Sequence, residues 1–358
     1  MANPWRPLVT PVVVPHDTRH DNPEACTLTN MTKRERVRAA LAGEPVDHVP
    51  ASLWGHDFLR EWSAEELVAA TLEAYRANDW DFIKFNPRAT YFAEAWGNTY
   101  ERPAEQRQPR PIAHVIQNAS GLAEVAALDP RQGVLREHLR ALWLLATEVA
   151  GEVDVVQTVF SPLSVVAMLC GSDAKFREFA ASDPDAARAA LHAAATTLAA
   201  YARASIDAGA SGIFFAPLLW ASRDTCNEDF YAEFGRPYDL TVLDAVSDAP
   251  FNILHVCRNR NMLTDLLDYP VAAFNWADRG EGNPSLRDVK ARRPRAVMGG
   301  IDQARLHTMP ADEVRAQALD ALSIGRGLFL TAGCAIKPET PAANRAAVAA
   351  AARGATQT

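Results

Sequence analysis

The sequence predicts an α/β fold: a (β/α)8 TIM barrel with a long insertion after the second strand and a Pro-rich N-terminal extension. Three observations predict it. Eight short runs rich in Val, Ile and Phe recur along the chain, and segments of helical period separate them. No Gly/Ser-rich linker or abrupt change of composition divides the 358 residues in two, so one closed barrel fits better than two domains. A doubly wound sheet is the alternative architecture.

Residues 1–30 hold Pro4, Pro7, Pro11 and Pro15 among scattered charges and form the extension; residues 31–358 form the barrel. Met31 to Ala42 places Val37 and Leu41 on one face, which predicts a short amphipathic helix. The strands are predicted at His48 to Trp54, Asp81 to Asn86, Val153 to Phe160, Gly212 to Pro217, Asn252 to Cys257, Ala272 to Trp276, Ala296 to Ile301 and Leu328 to Cys334. The long interval from Pro87 to Gly133, with Tyr91, Trp96, Tyr100 and several prolines, is the insertion and is expected above the barrel mouth. After it, Leu135, Leu139, Leu142, Ala146 and Val149 step by four and three, the mark of a helix with one buried stripe. Asn283-Pro284 and Thr340-Pro341 each set a capping side chain before a proline, so helices are expected to begin there.

Composition narrows the function. Lys and Arg number 36 against 44 Asp and Glu, a formal charge of −8 without a polybasic run, which argues against sequence-independent nucleic-acid binding. The longest apolar stretches, such as Leu163 to Leu169, fall far short of the roughly 20 residues that span a bilayer. The Val12 to Val14 run is too short for a signal-peptide core, so cytoplasmic residence without a membrane is expected. Five cysteines in so long a chain do not make a disulfide framework. Cys26, Cys170 and Cys226 are expected to be small hydrophobes rather than functional groups.

A barrel gathers its active site where strands end and loops begin. His56 and Asp57, Asn86, Ser161, Pro217, His255 and Cys257, Asp278, Asp302 and Cys334 occupy those positions. His255 and Cys257 lie two apart on one strand, so their side chains leave the same face, and Cys334 ends the last strand at the same rim. One imidazole and two thiolates favour Zn²⁺ with a fourth position left for substrate. Spacing alone leaves a second reading open, a buried Cys beside a hydrogen-bonded His. Asp278, Arg279, Glu281, Asp302 and Arg305 follow the sixth and seventh strands; of these Asp302 is retained as a catalytic candidate. His56 and Asp57, being sequence neighbours, share a face only in a turn, while Trp220, Tyr231 and Tyr238 are expected to pack.

An ordered set of motifs resembles the uroporphyrinogen decarboxylase superfamily, and within it the zinc-dependent, corrinoid-linked methyltransferases. The set comprises Met31 to Leu41 followed by Asp47 to Pro50, Asp229 to Phe234 with Pro237-Tyr238, Gly299 to Asp302, and Gly333 to Pro341 with Asn344. The methyltransferase branch is similar in carrying His-x-Cys on one strand and a later Gly-Cys, which here are His255, Cys257 and Cys334. The parent decarboxylase's Arg-Gln-Ala-Gly-Arg stretch is missing after His48 to Trp54, its Asp looks replaced by Asn86, and Gly333-Cys334-Ala335 stands where it has Gly-His-Gly. Without those arginines its substrate's carboxylates would lack partners.

The resemblance implies methyl transfer between a cobalamin and a small thiol or methyl ether at zinc. Zinc would hold the thiol as thiolate, or polarise the ether oxygen as a Lewis acid. An Asp-x-His-x-x-Gly corrinoid signature is missing, so a partner corrinoid protein is expected to bring the cobalamin. The alternatives are a uroporphyrinogen decarboxylase-like or methionine synthase-like enzyme, a zinc hydrolase, and a non-catalytic barrel that binds a tetrapyrrole or protein.

Overall fold

In the computed structural model, residues 30–292 and 295–354 are described. Residues 1–29, all of the Pro-rich extension but Asn30, lie outside them, and Cys26 with them.

Eight parallel strands form one sheet, and each falls inside its predicted run. They are Ala51–Ser52, Phe82–Phe85, Asp154–Phe160, Gly212–Ala216, Ile253–Val256, Ala273–Trp276, Ala296–Ile301 and Leu328–Ala332. Consecutive strands pair from the second through the eighth, and the eighth returns to pair with the first. This is a TIM barrel with one seam, because no ladder joins the first strand to the second. The seam is held by three bonds instead. The Asp81 N–H donates to the Ala51 carbonyl at 2.9 Å, the Ala51 N–H donates to Asp81 Oδ2 at 2.8 Å, and the Ser52 hydroxyl donates to the Phe82 carbonyl at 2.9 Å.

The first strand is shorter than its predicted run because Pro50 has no N–H for a ladder; its carbonyl still accepts from Leu330 N–H at 2.9 Å. Arg36 braces the approach to the seam from the opening helix, Lys33–Ala42. Its guanidinium donates to Asp47 at 2.7 Å and to Asp81 at 2.6 Å, all three carboxylate and guanidinium groups being largely buried. That helix begins on Thr32, whose hydroxyl accepts from Glu35 N–H while the Glu35 carboxylate accepts from Thr32 N–H.

The barrel's interior is plugged at its N-terminal end by Phe82, Phe251 and Phe329, whose ring centroids lie 5.4 to 5.9 Å apart. The insertion carries a short helix, Tyr91–Ala95, and an antiparallel hairpin, Thr99–Glu101 with Arg110–Ala113. The Leu-striped helix runs Gly133–Val149 and buries Leu135, Leu139, Leu142 and Val149. No helix among the described residues is long and apolar enough to cross a membrane.

Two helix starts differ from expectation. The helix after the sixth strand is Leu286–Arg292, entered through Ser285, whose hydroxyl accepts from Asp288 N–H. Asn283 is drawn away because its amide donates to the Arg258 and Ala277 carbonyls. The last helix, Ala342–Arg353, follows Pro341 without a side-chain cap, and the Thr340 hydroxyl is buried without a hydrogen-bond partner.

Candidate metal centre

His255 sits third in the fifth strand, in register with Asn275 on the sixth. Both are buried, and the parallel register turns both into the barrel. Asn275 Nδ2 lies 3.1 Å from the carbonyls of Met298 and Ala332, so the amide nitrogen faces acceptors and the amide oxygen faces the imidazole. His255 Nδ1–H therefore donates to Asn275 Oδ1, at 2.6 Å. The proton is thereby placed on Nδ1, and Nε2 is left bare. On its other side the ring stacks on Phe214, centroids 4.9 Å apart.

Cys334 reaches the same point from the end of the eighth strand. A Cβ on Gly333 would stand 2.7 Å from the Ala277 Cα and the Trp276 carbonyl, so only glycine lets the chain pass this close to the end of the sixth strand. Cys334 Sγ lies 3.5 Å from His255 Nε2. Cys257, just beyond the fifth strand and half-buried, is the other neighbour of the Cys334 sulfur. The Cys257 thiol and the His255 ring hold Cys334 well below the usual thiol range, while the Cys334 sulfur and burial push Cys257 up.

Two donors on one tetrahedral Zn²⁺, with bonds of about 2.05 Å to nitrogen and 2.3 Å to sulfur, stand about 3.6 Å apart. The His255 to Cys334 separation matches that, and the donor types suit zinc. The third donor completes the contact set but not a cage: among the described residues no group of three His, Cys, Asp or Glu is arranged to hold a metal ion as it stands.

The other cysteines sit apart. Cys170 is buried and its thiol is pushed up to about 12 by burial. Cys226 donates to the Trp220 carbonyl at 3.2 Å and is pushed up to about 11. Both are far from the thiolate form at neutral pH. Asp302 caps its own turn, its Oδ1 accepting from Ala304 N–H at 2.9 Å and Arg305 N–H at 3.3 Å. Asp278 accepts from Gly300 N–H at 3.0 Å, and burial pushes its carboxyl up to about 6. Trp220 and Tyr231 are buried packing residues.

A cavity of about 570 Å³ opens at the seam, between the first two strands and the helix Ala64–Asn78. Its lining includes Trp54, His56, Glu61, Lys84, Asn86 and Ile336, not the donors themselves; the Phe214 ring packs against both Trp54 and His255. Lys84, on the second strand, is 7% exposed, and its ammonium lies 4.6 Å from the Phe214 ring that His255 stacks on. It donates to Asn86 Oδ1 and forms no carboxylate ion pair among the described residues; burial pushes it down to about 7. The pairing of His56 is also new. Its partner is not Asp57 but the buried Glu61, Nδ1 to Oε1 at 2.6 Å. Asn275, Lys84 and Glu61 were not singled out from the sequence. A signal existed for the first two: each is a polar residue between large apolar neighbours in a strand, in Phe-Asn-Trp and Ile-Lys-Phe.

Comparison with known proteins agrees with this architecture. The family model described as "Uroporphyrinogen decarboxylase (URO-D)" matches residues 32–355. The methylcobamide:CoM methyltransferase MtbA of Methanosarcina mazei is 25% identical over 333 residues, covering 88% of this chain and 96% of that protein. The methylcobamide:CoM methyltransferase MtaA of Methanosarcina barkeri is 26% identical over 339 residues, covering 90% and 98%. Among solved structures, a methyltransferase from Methanosarcina mazei superposes with a TM-score of 0.77 at 24% identity, over 91% of this chain and 99% of that one. A B12-independent methionine synthase from Shewanella sp. W3-18-1 shares the fold at a TM-score of 0.57 and 15% identity, over 86% and 92%. With the family model spanning nearly the whole barrel, the chain belongs to the uroporphyrinogen decarboxylase family.

Proposed function

We propose that the chain is a methyltransferase that moves a methyl group between a corrinoid, carried by a separate partner protein, and a small thiol, with Zn²⁺ held by His255, Cys257 and Cys334. The observation that carries this reading is the meeting of Cys334 Sγ with the bare Nε2 of His255 at 3.5 Å, on an imidazole whose tautomer Asn275 sets. Bound there, zinc supplies the Lewis acidity that favours a thiolate near neutral pH.

The protein's own groups do the rest. Asn275 and Phe214 fix the imidazole plane, and Gly333 brings the second sulfur to it. The Asp302 carboxylate at the seventh-strand rim orients substrate through the oxygen that its turn leaves free. The thiol acceptor is favoured over a methyl ether because the two relatives are named for transfer between methylcobamide and CoM. A cytoplasmic setting agrees with two thiols kept unpaired beside each other.

The test combines metal analysis with turnover. Purified wild-type chain is expected to hold about one zinc and to demethylate methylcobalamin with a small thiol, while Cys257→Ala and Cys334→Ala lose both. Stoichiometric zinc in both variants, or no turnover by zinc-loaded wild type with thiols or aryl ethers, would refute the proposal.

A further inference from the structure

We propose that His56, oriented by the buried Glu61, is the base that takes the thiol's proton when substrate enters the site; this rests on the thiol-methyltransferase reading above. Neither residue belongs to the three-donor set. Each lines the cavity at the seam, together with Ile336, two residues beyond Cys334. The chain around His56 lies against the chain around Cys334: Gly55 bridges Ile336, and the Ile336 N–H donates to the Trp54 carbonyl at 2.8 Å. On this reading, a thiol bound at the donors has this edge beside it.

The dyad has the polarity of an acceptor. Glu61 is 2% exposed, and its Oε1 faces His56 Nδ1 at 2.6 Å. A carboxylate can only accept, so Nδ1 carries the hydrogen and Nε2 carries the lone pair. Nε2 has no hydrogen-bond partner among the described residues, and Phe58 stacks on the ring at 4.9 Å and 9°, fixing its plane. Glu61 Oε2 is buried with no hydrogen-bond partner among the described residues. A buried carboxylate short of a hydrogen bond gains most when the imidazole beside it becomes imidazolium. The environment is therefore built for the product of proton uptake.

The step balances. The substrate S–H bond breaks, an N–H bond forms at His56 Nε2, and the electron pair stays on sulfur. Glu61 does not touch the substrate and acts as a positioning residue. Protonated His56 keeps that proton, beside the Glu61 carboxylate, while the thiolate stays bound, and gives it up to solvent through the cavity once the methylated product has left.

The experiment counts protons. Zinc-loaded protein at pH 8 is titrated with 2-mercaptoethanol, a thiol still mostly protonated there, in buffers of different ionisation enthalpy. Wild type is expected to release well under one proton per thiol bound, and His56→Gln to release close to one. Glu61→Gln is expected to fall between, at unchanged zinc content. In turnover, His56→Gln is expected to lose roughly a hundredfold or more near pH 7 and to recover toward wild type as the thiol ionises unaided at higher pH. Equal proton release by wild type and His56→Gln overturns the assignment. So does a rise in release on Lys84→Met in place of His56→Gln, which would make the amine the acceptor. If wild type holds zinc but binds no thiol, the thiol reading itself fails, which is a different result from equal release.

Discussion

Replacing Asn275 with Leu removes the group that sets the His255 tautomer while keeping side-chain volume. In the structure one 2.6 Å bond holds Nδ1–H, and the same amide donates to the carbonyls of Met298 and Ala332. Without that acceptor the ring turns more freely and also populates the tautomer with its proton on Nε2, which cannot bind a cation. Outer partners of this kind are worth about 10- to 100-fold in metal affinity, or about 1.4 to 2.7 kcal/mol. Two buried carbonyls also lose a donor, so about 1 to 3 kcal/mol of folding stability goes as well. Zinc affinity is measured by competition with a chromophoric chelator, and urea unfolding of the metal-free protein reads the second loss separately. Asn275→Asp keeps an acceptor for Nδ1 and is expected to retain zinc better than Asn275→Leu, despite its repulsion from the two carbonyls. If folded Asn275→Leu binds zinc within twofold of wild type, the argument that this amide sets the donor nitrogen is wrong.

Burial raises the Asp239 carboxyl from its ordinary 3.8 to about 7, although Tyr231 and Tyr269 both donate to its Oδ2, at 2.6 and 2.9 Å. The folded state thus holds this proton more tightly than the unfolded chain, so the contribution is full below about pH 4 and is lost as pH rises through about 7. Asp239→Asn is expected to gain on wild type by up to about 4 kcal/mol between pH 4 and 8, read from denaturant midpoints across that range; parallel profiles would refute the shift. Arg36→Met leaves Asp47 and Asp81 without their cation and is expected to cost about 3 to 5 kcal/mol in urea unfolding, against under 1 kcal/mol for an exposed ion pair such as Arg60 with Glu73.

The strands were legible because each is a short run of branched and aromatic residues with turn residues at its ends, and a parallel barrel buries such runs on both faces. Gly333-Cys334 and His255-Val256-Cys257 were legible as a candidate donor set because a period of two and the rim rule need no coordinates. What a strand residue faces across the lumen was not legible. Asn275 becomes a tautomer-setting group only when register places it opposite His255, and Lys84 becomes a buried amine only when Phe214 lies against it. Glu61 lies in a loop and carries no period at all. The capping residues Asn283 and Thr340 misled for a related reason: Asn283 found carbonyls 2.7 and 2.8 Å away that local sequence does not reveal.

Because the first and second strands meet without a ladder, the wall is a rolled strip whose two margins are clasped, not a hoop woven shut. The clasp is made of Asp81, Ser52 and a single pair of peptide groups, directly beneath Lys84. Were the wall to part at that join, water would meet the Lys84 amine from the side, by a route other than the mouth above the sulfurs.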